Sequence, residues 1–477
     1  MTIFTRTFLV LAMAAFGSTA MAAIESTGDY KPNEVIVKYK DGVRRNRMMM
    51  QNIYDVANVV KVNRFNGTVQ QFDQLTIEAG TDIKQVISEL EKLSTVEYAQ
   101  PNYILRVLPV TQAKRPSDDG GIPCIPGMEV PGCTPMPCII PGWPPGCEDG
   151  GGGGGGGEGR PPVADKPADV NPPEADPSLS KAYGISKIAS EKAWEKTKGS
   201  ANIVVAVIDT GVDYNHEDLS FNMWRNPNPT KNDLVGYDFI HDDGLPFDDN
   251  QHGTHVAGTI GAVGGNGKGV SGVNQRVSIM ALKFLSGEGS GDTAGAIKAI
   301  DYAVTNGAKV MNASWGGGAD EGNNALRESI ERAEKADVLF VAAAGNGGND
   351  GRGDDNDKEP MYPAAFNTGN MLAVAATNAN DRLTGFSNFG KRSVHLAAPG
   401  DGVYSTVPGN KYASLSGTSM ACPHVAGAAA LVWSMNPKMS HKEVKARLMD
   451  SVDKISGMES KTITGGRLNV GKAVSGL

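Results

Sequence analysis

The densest apolar run in the chain, Ile203-Val204-Val205-Ala206-Val207-Ile208, shows no polar alternation. That pattern predicts a strand buried on both faces. Val277 to Leu282, Val310 to Ala313 and Val338 to Val341 predict three more strands. Between them the apolar spacing turns helical: Ile297, Ile300 and Val304 share one face, and Leu326, Ile330 and Ala333 another. Alternation of strand and helix implies a mostly parallel sheet with helices on both faces, an α/β three-layer architecture. Sites in such sheets gather at the carboxyl ends of the strands, and Asp209 directly follows the first run.

A different pattern fills residues 31–107. Pro32-Asn33-Glu34 leads into a short strand, Val35 to Tyr39, and Leu75 and Ile77 mark another. Ile83, Val86, Ile87, Leu90 and Leu93 predict an amphipathic helix, with a last strand at Val96 to Tyr98. These elements make a small α+β unit. Residues 108–176 lack either periodicity and read as a linker. Within it, Cys124 to Cys133 and Cys138 to Cys147 repeat one pattern, each with eight residues between its cysteines. Gly150 to Gly157 is unbroken glycine, and proline-rich sequence follows; neither composition builds a core. The largest unit, residues 179–477, comes last.

The N-terminus carries Arg6, the apolar stretch Phe8 to Phe16 and the small-x-small triplet Ala20-Met21-Ala22. It reads as an export leader ending near residue 22, too short to be a membrane anchor. Export to a periplasmic or extracellular space makes disulfides the expected fate of the four clustered cysteines. Four cysteines permit three pairings; two local loops are expected. Cys422 remains as an unpaired thiol. A net charge of −8 argues against a nucleic-acid partner, and no later stretch is long and apolar enough to span a bilayer.

The chemistry lies in three motifs. Asp209-Thr210-Gly211 supplies a carboxylate, His252-Gly253-Thr254-His255 an imidazole and Gly417-Thr418-Ser419-Met420-Ala421 a hydroxyl. Serine needs a base to take its proton, and that base needs a third group to fix its tautomer. The apolar run from Val425 to Trp433 reads as a helix after Ser419, whose N-terminus favours developing negative charge. Asn346, closing Ala342-Ala343-Ala344-Gly345-Asn346, stands at another strand exit as candidate oxyanion donor.

The chain order Asp, His, Ser resembles the subtilisin family of secreted serine proteases rather than the other orders in which this triad occurs. The resemblance starts near Tyr183. It implies Ser419 as nucleophile, His252 rather than His255 as base, Asp209 as orienting carboxylate and Asn346 as oxyanion donor. Val96-Glu97-Tyr98-Ala99-Gln100-Pro101-Asn102-Tyr103 resembles the end of the family's propeptide, which implies a folding chaperone and transient intramolecular inhibitor. The same resemblance places an extended protein or peptide substrate along Gly289-Ser290-Gly291 and Ser314-Trp315-Gly316, with glycines allowing close backbone approach. Trp315 is expected to help form a pocket for apolar or aromatic side chains. Gly264 to Val270 resembles the family's calcium loop, with Asn266 and Val270 as ligands and Asp218 as the joining carboxylate. The acidic stretches Asp242 to Asp249 and Asp350 to Asp357 read as solvated faces or further metal sites. The expected protein is a monomeric, self-inhibited endopeptidase. A non-catalytic binding protein and an esterase are the rivals, and the family's usual short junction is replaced here by the long linker.

Overall fold

The computed structural model describes residues 29–65, 70–112, 160–168, 174–317, 323–348 and 350–477. The leader and the four clustered cysteines lie outside the described residues.

The strand Gly199–Asp209 lies inside a nine-stranded sheet, third from one edge. Arg276–Lys283 pairs with it on one side and Val310–Ala313 on the other, both parallel. Leu339–Ala343, Met371–Thr377 and Leu396–Pro399 continue the sheet in parallel, and an antiparallel pairing closes one edge at Asp453–Lys454. Alternation along the central strand feeds two cores. Val205 and Val207 pack toward the helices His252–Gly261 and Thr418–Met435. Ala206 and Ile208 pack toward Thr293–Thr305 and Asn324–Lys335. An unbroken apolar strand is therefore one with a core on each side, as its sequence predicts. The helix Thr418–Met435 is buried along nearly its whole length, which explains its lack of a polar face. Among the described residues no helix is long and apolar enough to cross a membrane.

The N-terminal unit is an antiparallel sheet. Tyr30–Tyr39 lies between Phe72–Ile77 and Val96–Val107, with Val59–Arg64 outside. Two helices cover one face. Ile83–Glu91 was legible; Arg47–Ala57, capped by Asn46, is additional and buries Met49, Met50, Ile53 and Ala57. The last strand is much longer than Val96 to Tyr98 predicts. It runs on because its far end finds partners more than 180 residues away. Leu105 pairs with Gly291 and Arg106 with Ser290 on one side, and Val107 pairs with Trp315 on the other.

Both ends of the expected linker are attached to the large unit. Thr111 and Gln112 still pair, with Ser416 and Leu415. At its other end, residues 160–168 lie against the large unit: Tyr214 Oη donates to the Pro161 carbonyl at 2.5 Å and Asn215 Nδ2 to that of Pro162 at 2.8 Å.

Candidate active site

One strand end and the first turns of two helices bring the polar motifs together. Asp209 ends the central strand and is fully buried. Its Oδ1 lies 2.7 Å from His252 Nδ1 and accepts the Thr210 amide at 2.7 Å. His252 opens its helix and is likewise buried. Burial would hold this imidazole below its ordinary range, but the Asp209 carboxylate, aided by Asp248, lifts it above. His255, on the same helix, faces the carbonyls of Val403 and Ala413 at 2.9 and 3.2 Å. Burial pushes it down to about 3, so it stays neutral and structural.

Ser419 stands in the first turn of its buried helix. Its hydroxyl donates to the Ser314 carbonyl at 3.0 Å, while Ser314 Oγ donates back to the Ser419 carbonyl at 2.9 Å. His252 Nε2 is buried and has no hydrogen-bond partner among the described residues. Asn346 is locked by Thr418, whose amide and hydroxyl donate to its Oδ1 at 2.8 and 2.7 Å. The free end of that amide, Nδ2, donates to the Pro109 carbonyl at 2.6 Å. A Cβ at Gly417 would stand 3.0 Å from Asn346 Nδ2 and 3.3 Å from Val110, so glycine leaves room for both.

The predicted substrate strands flank the chain's own segment 104–109. The Val107 amide donates to the Gly289 carbonyl at 2.8 Å. Gly289, at φ +77, has no room for a side chain, because a Cβ would meet Val107 at 2.5 Å. The pocket expected of Trp315 needs correction. Its indole is fully buried, donates to the Ile208 carbonyl at 2.7 Å and packs edge-on against Phe284. Its backbone pairs with Val107 of the threaded strand. Leu105 and Leu108, three residues apart, are the side chains that sink into the two cores.

The metal expectation is altered. Asp218 is fully buried, but the groups facing it are donors: Asn266 Nδ2 at 2.8 Å and the Val270 amide at 2.9 Å. Asp176, from the end of the linker, joins the same loop by accepting the Gly265 and Asn266 amides. Burial, together with Asp176, pushes Asp218 up to about 7. No cluster of three or more His, Cys, Asp or Glu side chains suited to a metal occurs among the described residues.

Three contributors escaped the sequence reading. Thr418 orients Asn346, and the Gly-Thr-Ser spacing was its only signal. Asp248, expected on a solvated face, is buried and ties the Asp209 loop to the His252 helix through Thr210 Oγ1, Thr254 Oγ1 and the Thr254 amide. Lys283 is buried at the end of its strand, donating to the Thr210 and Leu285 carbonyls and to Asp249. The acidic stretch before His252 is thus largely a hydrogen-bond acceptor set.

A carboxylate at a strand end, an imidazole opening one helix and a hydroxyl opening another, in that chain order, define a serine hydrolase built on a parallel sheet. Residues 200–466 match the model of the subtilase family, peptidase S8, and residues 17–102 match the fervidolysin N-terminal prodomain. The chain belongs to the subtilase family of serine proteases and carries an N-terminal prodomain. It is 40% identical to thermitase of Thermoactinomyces vulgaris over 295 residues, 62% of this chain and 96% of that protein. It is 39% identical over 266 residues to subtilisin DY of Bacillus licheniformis, covering 56% and 89% of the two chains. The major intracellular serine protease of Bacillus subtilis (strain 168) is 41% identical over 277 residues, 56% of this chain and 81% of that one.

Proposed function

We propose that this chain is an exported endopeptidase held inactive by its own prodomain, with Ser419 as nucleophile. The observation that carries this reading is the extended segment 104–107, which pairs with two edge strands and leads to Pro109, whose carbonyl oxygen accepts from Asn346. His252 accepts the Ser419 proton once the hydroxyl rotates from Ser314 toward Nε2, and later returns it to the leaving amine. Asp209 holds the imidazole through Nδ1 and steadies its charge. The Asn346 amide, preset by Thr418, stabilises the oxyanion. Gly289, Ser290 and Gly291 with Ser314, Trp315 and Gly316 bind substrate through backbone, and the sites filled by Leu105 and Leu108 favour apolar side chains. A peptide-library profile dominated by charged residues at these two positions would sink the specificity claim.

Calcium is the structural ion we assign to the loop Gly264 to Val270. Asp218 is a buried carboxylate with no ion pair among the described residues, and Asp176 adds a second carboxylate to an oxygen-rich loop. Asn266 would have to turn its amide over to offer oxygen. When bound, the ion would supply the positive charge that buried Asp218 and half-buried Asp176 lack. Export rests on the leader at residues 1–22, because relatives of this family include a protein named as intracellular. The domain limits we assign are 31–107 for the inhibitory unit, 108–176 for the linker and 179–477 for the peptidase. The pairs Cys124–Cys133 and Cys138–Cys147 are assigned as disulfides, and a non-reducing peptide map tests them. A fluorophosphonate probe tests the central claim. It should label the mature protein at Ser419 alongside activity on a protein substrate. Absence of labelling in the processed protein would refute the claim.

A further inference from the structure

The chain is fixed to the peptidase unit on both sides of the cysteine-bearing segment, from Pro109 to Gln112 before it and from Arg160 after it. At the first, Asn346 Nδ2 selects one carbonyl of the threaded strand, that of Pro109 at 2.6 Å. Val110 follows at once, packed against the core beside Gly417. At the second, Arg160 is a latch. Its guanidinium, with a side chain only 14% exposed, pairs with the fully buried Asp238 at 2.6 Å and with Asp243. It also donates to the Leu245 carbonyl at 3.0 Å. Such a planar, multidentate group between two carboxylates is a strong and specific anchor. Residues after it stay attached: Ala164 donates to Asn215 Oδ1 at 2.9 Å, and Arg225 donates to the Ala164 carbonyl at 2.9 Å.

We propose that maturation cuts the Pro109–Val110 bond, so that the cysteine-bearing segment stays on the mature enzyme as an N-terminal arm anchored at Arg160. The proposal rests on Ser419 being the nucleophile. Ser419 Oγ adds to the Pro109 carbonyl carbon, the bond to the Val110 nitrogen breaks, and the Ser419 proton passes through His252 to the Val110 amine. Water then releases Pro109 as a carboxylate and restores Ser419. The prodomain leaves without the cysteines, which therefore serve the mature protein rather than its inhibitor.

The test is N-terminal sequencing and intact mass of the earliest processed form, with the fluorophosphonate probe applied to the same sample. The expected product begins at Val110 and contains Cys124 to Cys147, whereas Ser419→Ala keeps the prodomain. Val110→Pro removes the N–H from the leaving nitrogen and should abolish this product. A probe-labelled enzyme whose first product starts beyond Cys147 overturns the proposal while leaving the nucleophile assignment intact. A precursor that is neither processed nor labelled overturns both. For the anchor, limited thermolysin digestion of the mature enzyme should stop before Arg160, and in Arg160→Ala it should run past residue 168. Identical end points in the two proteins would refute the latch.

Discussion

Asn102 gives a direct measure of how tightly the prodomain holds the enzyme. It is fully buried at the contact between the two units. Its Oδ1 accepts the Ala294 amide at 3.0 Å, at the open end of the helix Thr293–Thr305, and its Nδ2 donates to Glu34 at 2.6 Å. Asp292 already caps that helix through the Gly295 amide, so the helix itself does not depend on Asn102. Replacing Asn102 by leucine keeps the volume but leaves the Ala294 N–H without an acceptor while the prodomain is docked. After release, water satisfies the same group. An unsatisfied buried donor costs about 1–3 kcal/mol, which is roughly 5–150-fold in an equilibrium. The processed prodomain should therefore leave Asn102→Leu that much more readily. The assay follows the wild type and the variant after cleavage, comparing the cut by mass with the onset of peptide hydrolysis. A shorter interval in the variant is expected. An interval within twofold of wild type, with cleavage itself unchanged, would refute the reasoning. Gln100, which accepts the Ala325 amide at 2.9 Å, caps the neighbouring helix in the same way and offers an independent repeat.

Asn346→Leu should lower turnover by about 10²–10³-fold with a small change in KM, a range set by the corresponding donor in subtilisin itself; steady-state kinetics on a peptide substrate checks it. His252 must be neutral to act as base and its pKa is raised, so kcat/KM should climb with pH through an apparent pKa above 6.5, and an acidic limb below that value would contradict the Asp209 contact. Metal-free protein should lose stability as pH rises between the unfolded carboxylate value of about 4 and about 7, because folded Asp218 binds the proton more tightly than the unfolded chain. Added calcium should remove that slope and chelator restore it in thermal melts, whereas melts insensitive to both would end the calcium assignment. Cys422 is fully buried, with Sγ 3.3 Å from the Val341 carbonyl, and burial pushes its thiol up. Native protein should therefore leave it unmodified by maleimide, as read by peptide mapping, and rapid labelling would place it elsewhere.

The parts of this protein that could be read from sequence are those whose cause is local. An apolar run such as Ile203 to Ile208 announces a two-sided strand, and Asp209 inherits its place at the strand end. The spacing of Ile83, Val86 and Leu90 exposes a helix face directly. The long last strand of the prodomain was not legible, because the groups that extend it, Ser290 to Asp292 and Trp315, lie far along the chain. The same distance hides Arg160 as the partner of Asp238 and Asp243. Asp248 misled for another reason. A cluster of acidic residues looks solvated until the Thr210 and Thr254 donors that justify its burial are brought beside it. Trp315 misled because its neighbours in sequence face the strand through backbone, while its ring turns inward to the Ile208 carbonyl.

When the prodomain departs, the space left between Ser290–Asp292 and Trp315–Gly316 is a slot one strand wide. Both walls recognise main chain, so an incoming polypeptide must present unpaired N–H and C=O groups along both of its edges. At about 3.3 Å per residue, the vacated span from Ile104 to Pro109 corresponds to roughly 20 Å of extended chain. A helix is too wide for the slot, and a strand already seated inside a sheet has no edge to offer. Mature enzyme would accordingly sort proteins by their conformational state, taking long surface loops, locally opened segments and damaged or nascent chains, and sparing well-folded neighbours whatever their sequence.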